Sequence, residues 1–195
     1  MKAVKFFGAL SIIMGFTMSA MAQPPQSDND KVDAKAQVVA QVDVTKVEDL
    51  IFGMVTPGNT KTINSLGQVL AGQAGAGVTI GAEKAGQFSV TKGLNTQVTL
   101  GFTLPTSLTF DAHNLAINFI DAAGVKLARL AAFNGAQADL LFTPADGIVV
   151  ANSGATAAYF ADDDFYVFIG GTVVPTTGQP AGVYVGEITL TATYN

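Results

Sequence analysis

The end of the chain alternates strictly between two kinds of position. Over residues 182–195 one face collects the apolar and aromatic side chains Tyr184, Gly186, Ile188, Leu190, Ala192 and Tyr194. The other face collects Val185, Glu187, Thr189, Thr191 and Thr193. A period of two indicates a half-buried β-strand. Because chain ends fray unless they are tied down, we expect this strand to be paired into a sheet.

A similar alternation near the start predicts the first strand, with Val38, Ala40, Val42 and Val44 on one face. Short strand-like runs follow, separated by glycine, proline and asparagine, at residues 50–52, 77–80, 87–91, 97–104, 115–120, 140–142 and 165–174. Many short strands without long helices are typical of an all-β sandwich or barrel.

Three segments are ambiguous in this pattern. Residues 126–141 fit a helical stripe about as well as a hairpin, but the Asn134-Gly135 pair favours a tight turn, so we predict a hairpin. The Gly170-Gly171 pair lies inside a β-branched run without a following helix or lysine, which indicates a strand bend rather than a phosphate loop. Residues 70–77, rich in glycine and alanine, are predicted to form a surface loop.

The first residues have the three parts of a secretory signal. Lys2 and Lys5 precede an apolar run over residues 6–18, and a small-residue pattern ends at Ala22. We therefore predict cleavage between Ala22 and Gln23. An uncleaved anchor is the alternative, but the apolar run is shorter than the roughly 20 residues that span a bilayer.

The remaining chain divides into a polar, proline-containing stretch over residues 23–35 and one domain over residues 36–195. The formal net charge of −5 argues against nucleic acid and anionic membrane surfaces as partners. No cysteine is present, so the domain must be held together by its core rather than by disulfides. These features predict an exported protein, extracellular or at the cell surface, without a transmembrane segment in the mature chain.

The sequence offers little catalytic chemistry. His113 is the only histidine, there is no thiol, and no serine lies in a nucleophile-elbow pattern. His113 follows Asp111-Ala112, a turn-like setting in which a solvated histidine is the simplest interpretation. We predict that the protein is not an enzyme and has neither catalytic residues nor a cofactor.

Two clusters have a functional interpretation beside a structural one. Asp162, Asp163 and Asp164 could supply oxygen ligands to a hard cation, but consecutive side chains diverge, and a charged turn that protects neighbouring strands from wrong pairing is favoured. They are weak metal candidates only. A sugar ring could stack on aromatic residues, but core packing is favoured for most of this set, which is Tyr159, Phe160, Phe165, Tyr166 and Phe168.

Four segments resemble a bacterial family of secreted domains of unknown function. They are residues 49–53 (DLIFG), 86–91 (GQFSVT), 170–174 (GGTVV) and the ending 181–195. The likeness extends over residues 38–195, and the ending is its most specific part. This resemblance implies an exported all-β domain and no known activity.

The same ending resembles the last strand of chaperone–usher pilins and of spore coat protein U, although this chain has no cysteine pair. That resemblance implies an Ig-like antiparallel β-sandwich that lacks one strand, which the next subunit of a fimbrium donates. Val38, Ala40, Val42 and Val44 would then be the donor side chains. The edge shown to a periplasmic assembly chaperone would contain Gly182, Ile188, Leu190 and Tyr194.

Two alternatives stay open at this stage. The first strand could equally belong to its own sheet, which would leave no donor. The protein would then be a monomeric secreted or cell-surface binding module whose loops at residues 162–164 or 70–77 meet a glycan or another protein.

Overall fold

The computed structural model describes residues 35–36, 38, 41–70, 83–120, 125–133, 135 and 138–195. The chain divides into two units, Met1–Gln37 and Val38–Asn195, and the fold described below is that of the second unit. The predicted signal sequence with its cleavage position at Ala22 and Gln23, the residue Ala40 and the predicted strand at residues 77–80 lie outside the described residues.

Besides a 3₁₀ turn at Gly154–Thr156, the described residues form twelve strands and one short α-helix. In chain order they are β1 (Asp43–Glu48), β2 (Lys61–Ile63), β3 (Gly86–Thr91), β4 (Val98–Thr103), β5 (Ser107–Phe110), β6 (His113–Asn118), β7 (Ala128–Ala132), β8 (Leu140–Phe142), β9 (Ile148–Val150), α1 (Ala157–Ala161), β10 (Asp164–Ile169), β11 (Gly171–Val174) and β12 (Thr189–Tyr194). All of their pairings are antiparallel. The predicted all-β class is therefore confirmed. In the described part, no helix has the length and apolar character needed to cross a membrane.

The strands form three sheets. Their orders are β1-β3-β10-β7-β8, β2-β11-β6-β5 and β12-β4-β9. Strands β10 and β11 are separated by Gly170 alone, so one run of chain passes from the first sheet into the second. A Cβ on Gly170 would collide with the carbonyl oxygen of Ile63 and lie 2.7 Å from the carbonyl carbon of Asn64. The bend that the sequence predicts at this glycine pair is confirmed.

Two hydrophobic cores result from the alternation along the strands. The first, called here the closed core, joins the five-stranded and three-stranded sheets and contains Val90, Val98, Leu100, Ala128, Leu130, Ala132, Phe142, Val150, Tyr159, Phe165, Val167 and Leu190. The second, called the open core, lies on the four-stranded sheet and contains Phe52, Ile63, Leu115, Ile117, Phe119, Ile169 and Val173.

Several predicted elements are confirmed. Strands β3, β4 and β8 fall where the pattern places them, and the inward side chains of β4 are those predicted. Residues 126–141 contain the predicted hairpin, because Leu130 of β7 pairs with Leu140 of β8. Gly135, in the loop between them, has a φ of +69°. That value suits glycine, which pays no steric cost there.

Other boundaries are wrong. Residues 50–52 do not form a strand, since Ile51 makes only one bridge, with Lys84. The first strand begins at Asp43 rather than Val38, and the last begins at Thr189 rather than Gly182. Strands β2, β5 and β9 and helix α1 are absent from the predicted set, because three to five residues are too few to show a period.

Candidate binding groove

An apolar groove runs along the open core between two irregular segments of the chain. One wall is residues 50–57, which connect β1 to β2, and the other is residues 180–188, which lead from β11 to β12. Its cavity volume is about 820 Å³. The floor consists of aliphatic and aromatic side chains, namely Phe52, Phe88, Leu108, Leu115, Ile117, Ile169, Val173, Tyr184 and Ile188. A concave apolar surface of this kind is typical of a binding site.

Part of the rim of the groove is also apolar, although Lys46, Glu48 and Asp49 line it as well. Val183 is 78% exposed, and Val185 and Met54 are more than half exposed. Single exposed apolar side chains are common on soluble proteins, but a contiguous patch usually marks an interaction site. Floor and rim together therefore form a surface that gains free energy when an apolar partner covers it.

Both walls carry backbone groups that no ladder uses. Ile51 exchanges two hydrogen bonds with Lys84, and Val185 exchanges two with Thr109. Within the described ranges, no backbone group bonds to the peptides of residues 186–188 or of residues 52–53. Such open backbone edges can each take one added strand.

The wall at residues 180–188 is shaped by close approaches. A Cβ on Gly182 would lie 2.7 Å from Cγ of Phe110, and a Cβ on Gly186 would lie 2.6 Å from Cδ2 of Leu108. The ring of Tyr184 packs on Phe110 with centroids 5.6 Å apart, and its hydroxyl donates to the carbonyl oxygen of Pro180 at 2.9 Å. These contacts explain why glycine stands at 182 and 186.

The opposite wall is held by a buried ion pair. Nζ of Lys61 lies 2.9 Å from Oε1 of Glu83 and donates to the carbonyl oxygen of Met54 at 3.1 Å. Both charged side chains are almost completely removed from solvent. Gly53 turns past the carboxylate with a φ of +65°. The sequence gives no sign of this pair, because 22 residues separate its members.

Residues of the predicted chaperone-facing edge divide between two places. Gly182 and Ile188 line the groove. Leu190 and Tyr194 belong to β12, where they pair with Phe102 and Val98 and pack against the closed core. The predicted set therefore does not form one site.

The predicted donor residues also divide. Val38 is 95% exposed. Val42 and Val44 pack against the closed core, and Val44 lies in β1 opposite Val90 of β3. Strand β1 is thus a member of its own sheet, which was the alternative left open for the first strand.

Two residues of the acidic run Asp162, Asp163 and Asp164 contact the buried side chain or backbone of Lys92. Nζ of the buried Lys92 donates to the carbonyl oxygens of Phe160 and Asp162, and its backbone N–H donates to that of Asp163. Burial lowers the pKa of Lys92, while the charges of Asp162 and Asp163 act in the opposite direction. In the part of the chain that the structure describes, no three acidic or histidine side chains converge as metal ligands would.

The five aromatic residues considered as a sugar-stacking set divide between the closed core and the outer face of the five-stranded sheet. Tyr159 and Phe165 are buried in the closed core with ring centroids 6.0 Å apart, as predicted. Phe160 packs against the same core, whereas Tyr166 and Phe168 lie on the outer face of β10. Core packing, predicted for most of the set, therefore holds for three of the five. His113 is exposed at the first position of β6, directly after the turn at Asp111.

Comparison with known proteins yields no family model, no curated protein and no solved structure that matches this chain. The groove is therefore interpreted from its own geometry. Sequence reasoning missed most of its floor, since Phe88, Leu115 and Val173 carry the same pattern as ordinary core residues.

Proposed function

We propose that the protein is a non-enzymatic, exported structural subunit whose groove binds an extended apolar segment of another copy. In this proposal the fold is an Ig-like sandwich with one strand missing over the open core. The observation that carries it is the groove itself, with an apolar floor and unused backbone groups along both walls. A strand added there would bury the floor with its side chains and satisfy the peptide groups of the walls.

The donor segment must be one that its own domain does not use. Val44 is engaged in β1, whereas Val38 is 95% exposed. In the sequence, apolar residues occupy every second position before that point, at Val32, Ala34, Ala36 and Val38. We therefore place the donor at residues 32–38, upstream of the segment inferred from sequence, with the polar residues 23–31 before it.

The proposed contact is head-to-tail. A segment of one copy enters the groove of the next, whose own segment is free to enter a third. Such a heterologous contact does not close on itself, so it produces a fibre rather than a ring or dimer. This outcome agrees with the resemblance to fimbrial subunits at the C-terminal strand.

The experiment compares two proteins, one beginning at Gln23 and one beginning at Gln41. We expect the longer protein to associate in size-exclusion chromatography and to form fibres in negative-stain microscopy, and the shorter one to stay monomeric. A synthetic peptide of residues 31–41 should bind the shorter protein, and the same peptide with Val38→Asp should not. Monomers in both cases, together with no peptide binding, would contradict the proposal.

A matched pair of substitutions locates the binding. Leu108 lies in the groove and Leu94 is an exposed residue after β3. Leu108→Glu places a charge on the apolar floor and should abolish peptide binding. Leu94→Glu adds the same charge elsewhere and should leave binding unchanged.

A further inference from the structure

The outer face of the five-stranded sheet carries aromatic rings that lie outside both cores. Phe165, Val167 and Ile169 of β10 face inward and are completely buried. Tyr166, between them, faces outward, and Phe133 stacks on it with ring centroids 5.0 Å apart and planes inclined by 23°. Phe133 is 56% exposed. The two rings form a stacked aromatic pair on a sheet face that is open to solvent.

Polar groups surround this pair. Ser89 of β3 lies opposite Tyr166, and Asp164 lies two residues before Tyr166 on the same face of β10. Oδ1 of Asp164 is shielded from water and has no hydrogen-bond partner among the described residues. Orphaned acceptors of this kind are uncommon in native structures and gain free energy from a hydroxyl donor once a side-chain rotation brings the two together.

Among the described residues beside these rings, the positive charge is paired with a carboxylate. Arg129 covers the ring of Phe168 at 3.8 Å, and its guanidinium pairs with the carboxylate of Asp139 at 2.8 Å. The face therefore has no surplus of positive charge with which to hold an anion. The chain as a whole is acidic, which also disfavours a polyanionic ligand.

We propose that Phe133 and Tyr166 form a binding surface for a neutral carbohydrate. A pyranose ring has an apolar C–H face that matches an exposed aromatic ring and a rim of hydroxyls that donate and accept hydrogen bonds. In this proposal the rings provide the apolar contact, and the polar partners are Ser89, the hydroxyl of Tyr166 and the carboxylate of Asp164, whose shielded Oδ1 is reached only when the side chain rotates. This site is separate from the groove and does not depend on strand exchange.

The test uses the protein that begins at Gln23, with cellohexaose, chitohexaose and mannohexaose as neutral probes and heparin as the anionic one. We expect at least one neutral hexasaccharide to bind in isothermal titration calorimetry, and heparin not to bind. Phe133→Ala and Tyr166→Ala should each weaken Kd tenfold or more. Phe133→Tyr, which keeps a ring, should restore binding.

Two controls keep the outcome clear. Val149 is an exposed valine on β9 of the three-stranded sheet, and Val149→Ala should leave Kd unchanged. Leu108→Glu, which blocks the groove, should also leave it unchanged, so failure of the two sites is distinguishable. Absence of binding to all three neutral probes, or equal binding by Phe133→Ala, overturns the proposal. A loss of self-association in Phe133→Ala without any sugar binding would assign this face to a contact between copies, which also overturns it.

Discussion

The closed core and the open core are built from the same kinds of residue but are covered differently. The closed core lies between two sheets, and strand β12 completes its second layer by pairing with β4 over six residues. The four-stranded sheet covers one side of the open core, and part of the other side is a groove between two irregular segments, with Phe88 and Ile169 of the five-stranded sheet in its lining. One run of chain, β10 followed by β11, contributes side chains to both cores.

This difference shows that apolar composition alone does not complete a domain. In the closed core, the buried side chains lie between two sheets and are at most 8% exposed, so burial contributes nearly its full free energy. In the open core, part of the apolar surface still faces solvent in the groove. We infer that the closed core supplies most of the free energy of unfolding. In the open core, apolar surface remains exposed, and its burial would favour binding of a partner.

A side chain at Gly170, where the chain passes from the five-stranded to the four-stranded sheet, should reduce stability the most. In Gly170→Ala the new Cβ meets backbone atoms of Ile63 and Asn64, which cannot move without disturbing β2. We expect a loss of about 4 kcal/mol or more in the free energy of unfolding, measured by urea denaturation. Gly101→Ala in β4 is the control, because a Cβ there meets nothing within 4 Å. Equal stability of the two variants would contradict this account of the bend.

The groove wall at residues 52–55 should depend on its buried ion pair. Lys61→Met removes the ammonium that bonds Glu83 and the carbonyl of Met54. Because the Glu83 carboxylate then stays buried without this cation, we expect a loss of about 3–5 kcal/mol in the free energy of unfolding.

The double variant Lys61→Met with Glu83→Gln serves as the control for the ion pair. It removes both charges, so it should recover a large part of the lost stability in the same urea denaturation experiment. A double variant that is less stable than Lys61→Met would show that the charge of Glu83 is compensated elsewhere.

A matched pair of valines compares the two cores directly. Val167 in β10 and Val173 in β11 are both 0% exposed, but Val173 lines the groove and Val167 does not. Val167→Ala should cost about 2–3 kcal/mol because the closed core cannot collapse around the cavity. Val173→Ala should cost about 1 kcal/mol because its neighbours can relax toward the groove. Equal losses in thermal and urea unfolding would mean that the open half is packed as tightly as the closed half.

The sequence predicts β3 and β4 well, and each of these strands has a neighbour on both sides. In β4 the period of two also places the correct side chains inward. Strand β2 is only three residues long and buries Lys61, so neither length nor polarity indicates it. Helix α1 has five residues and no side-chain N-cap. The sequence therefore lacks the capping pattern that would predict where this helix begins.

The sequence pattern fails to predict the groove for a different reason. Residues 182–188 alternate as regularly as β12, yet only Val185 among them pairs, in a single bridge. Alternation specifies which side chains face the core, but it does not specify whether a neighbouring strand exists. The segment just before β12, which alternates without a partner strand among the described residues, therefore forms one wall of the groove. Only the three-dimensional arrangement shows this.

The smallest expected effect concerns a hydroxyl inside the closed core. The buried Tyr159 places its hydroxyl 2.8 Å from the carbonyl oxygen of Ala138, so Tyr159→Phe should cost about 1 kcal/mol at pH 7. Burial, together with the charge of Asp139, raises the pKa of Tyr159 above its ordinary value of 10.0. As the pH rises through 10.0, the unfolded chain loses the phenolic proton first, so the native protein loses stability that the phenylalanine variant keeps.

The difference between the two proteins in urea denaturation should therefore be constant from pH 6 to pH 9 and shrink above pH 10. Lys92, whose lowered pKa makes stability change with pH in the opposite direction, is present in both proteins and cancels in the comparison. A difference that widens above pH 10 would mean that the folded protein ionises Tyr159 more readily than the unfolded chain, contrary to a hydroxyl enclosed in the closed core.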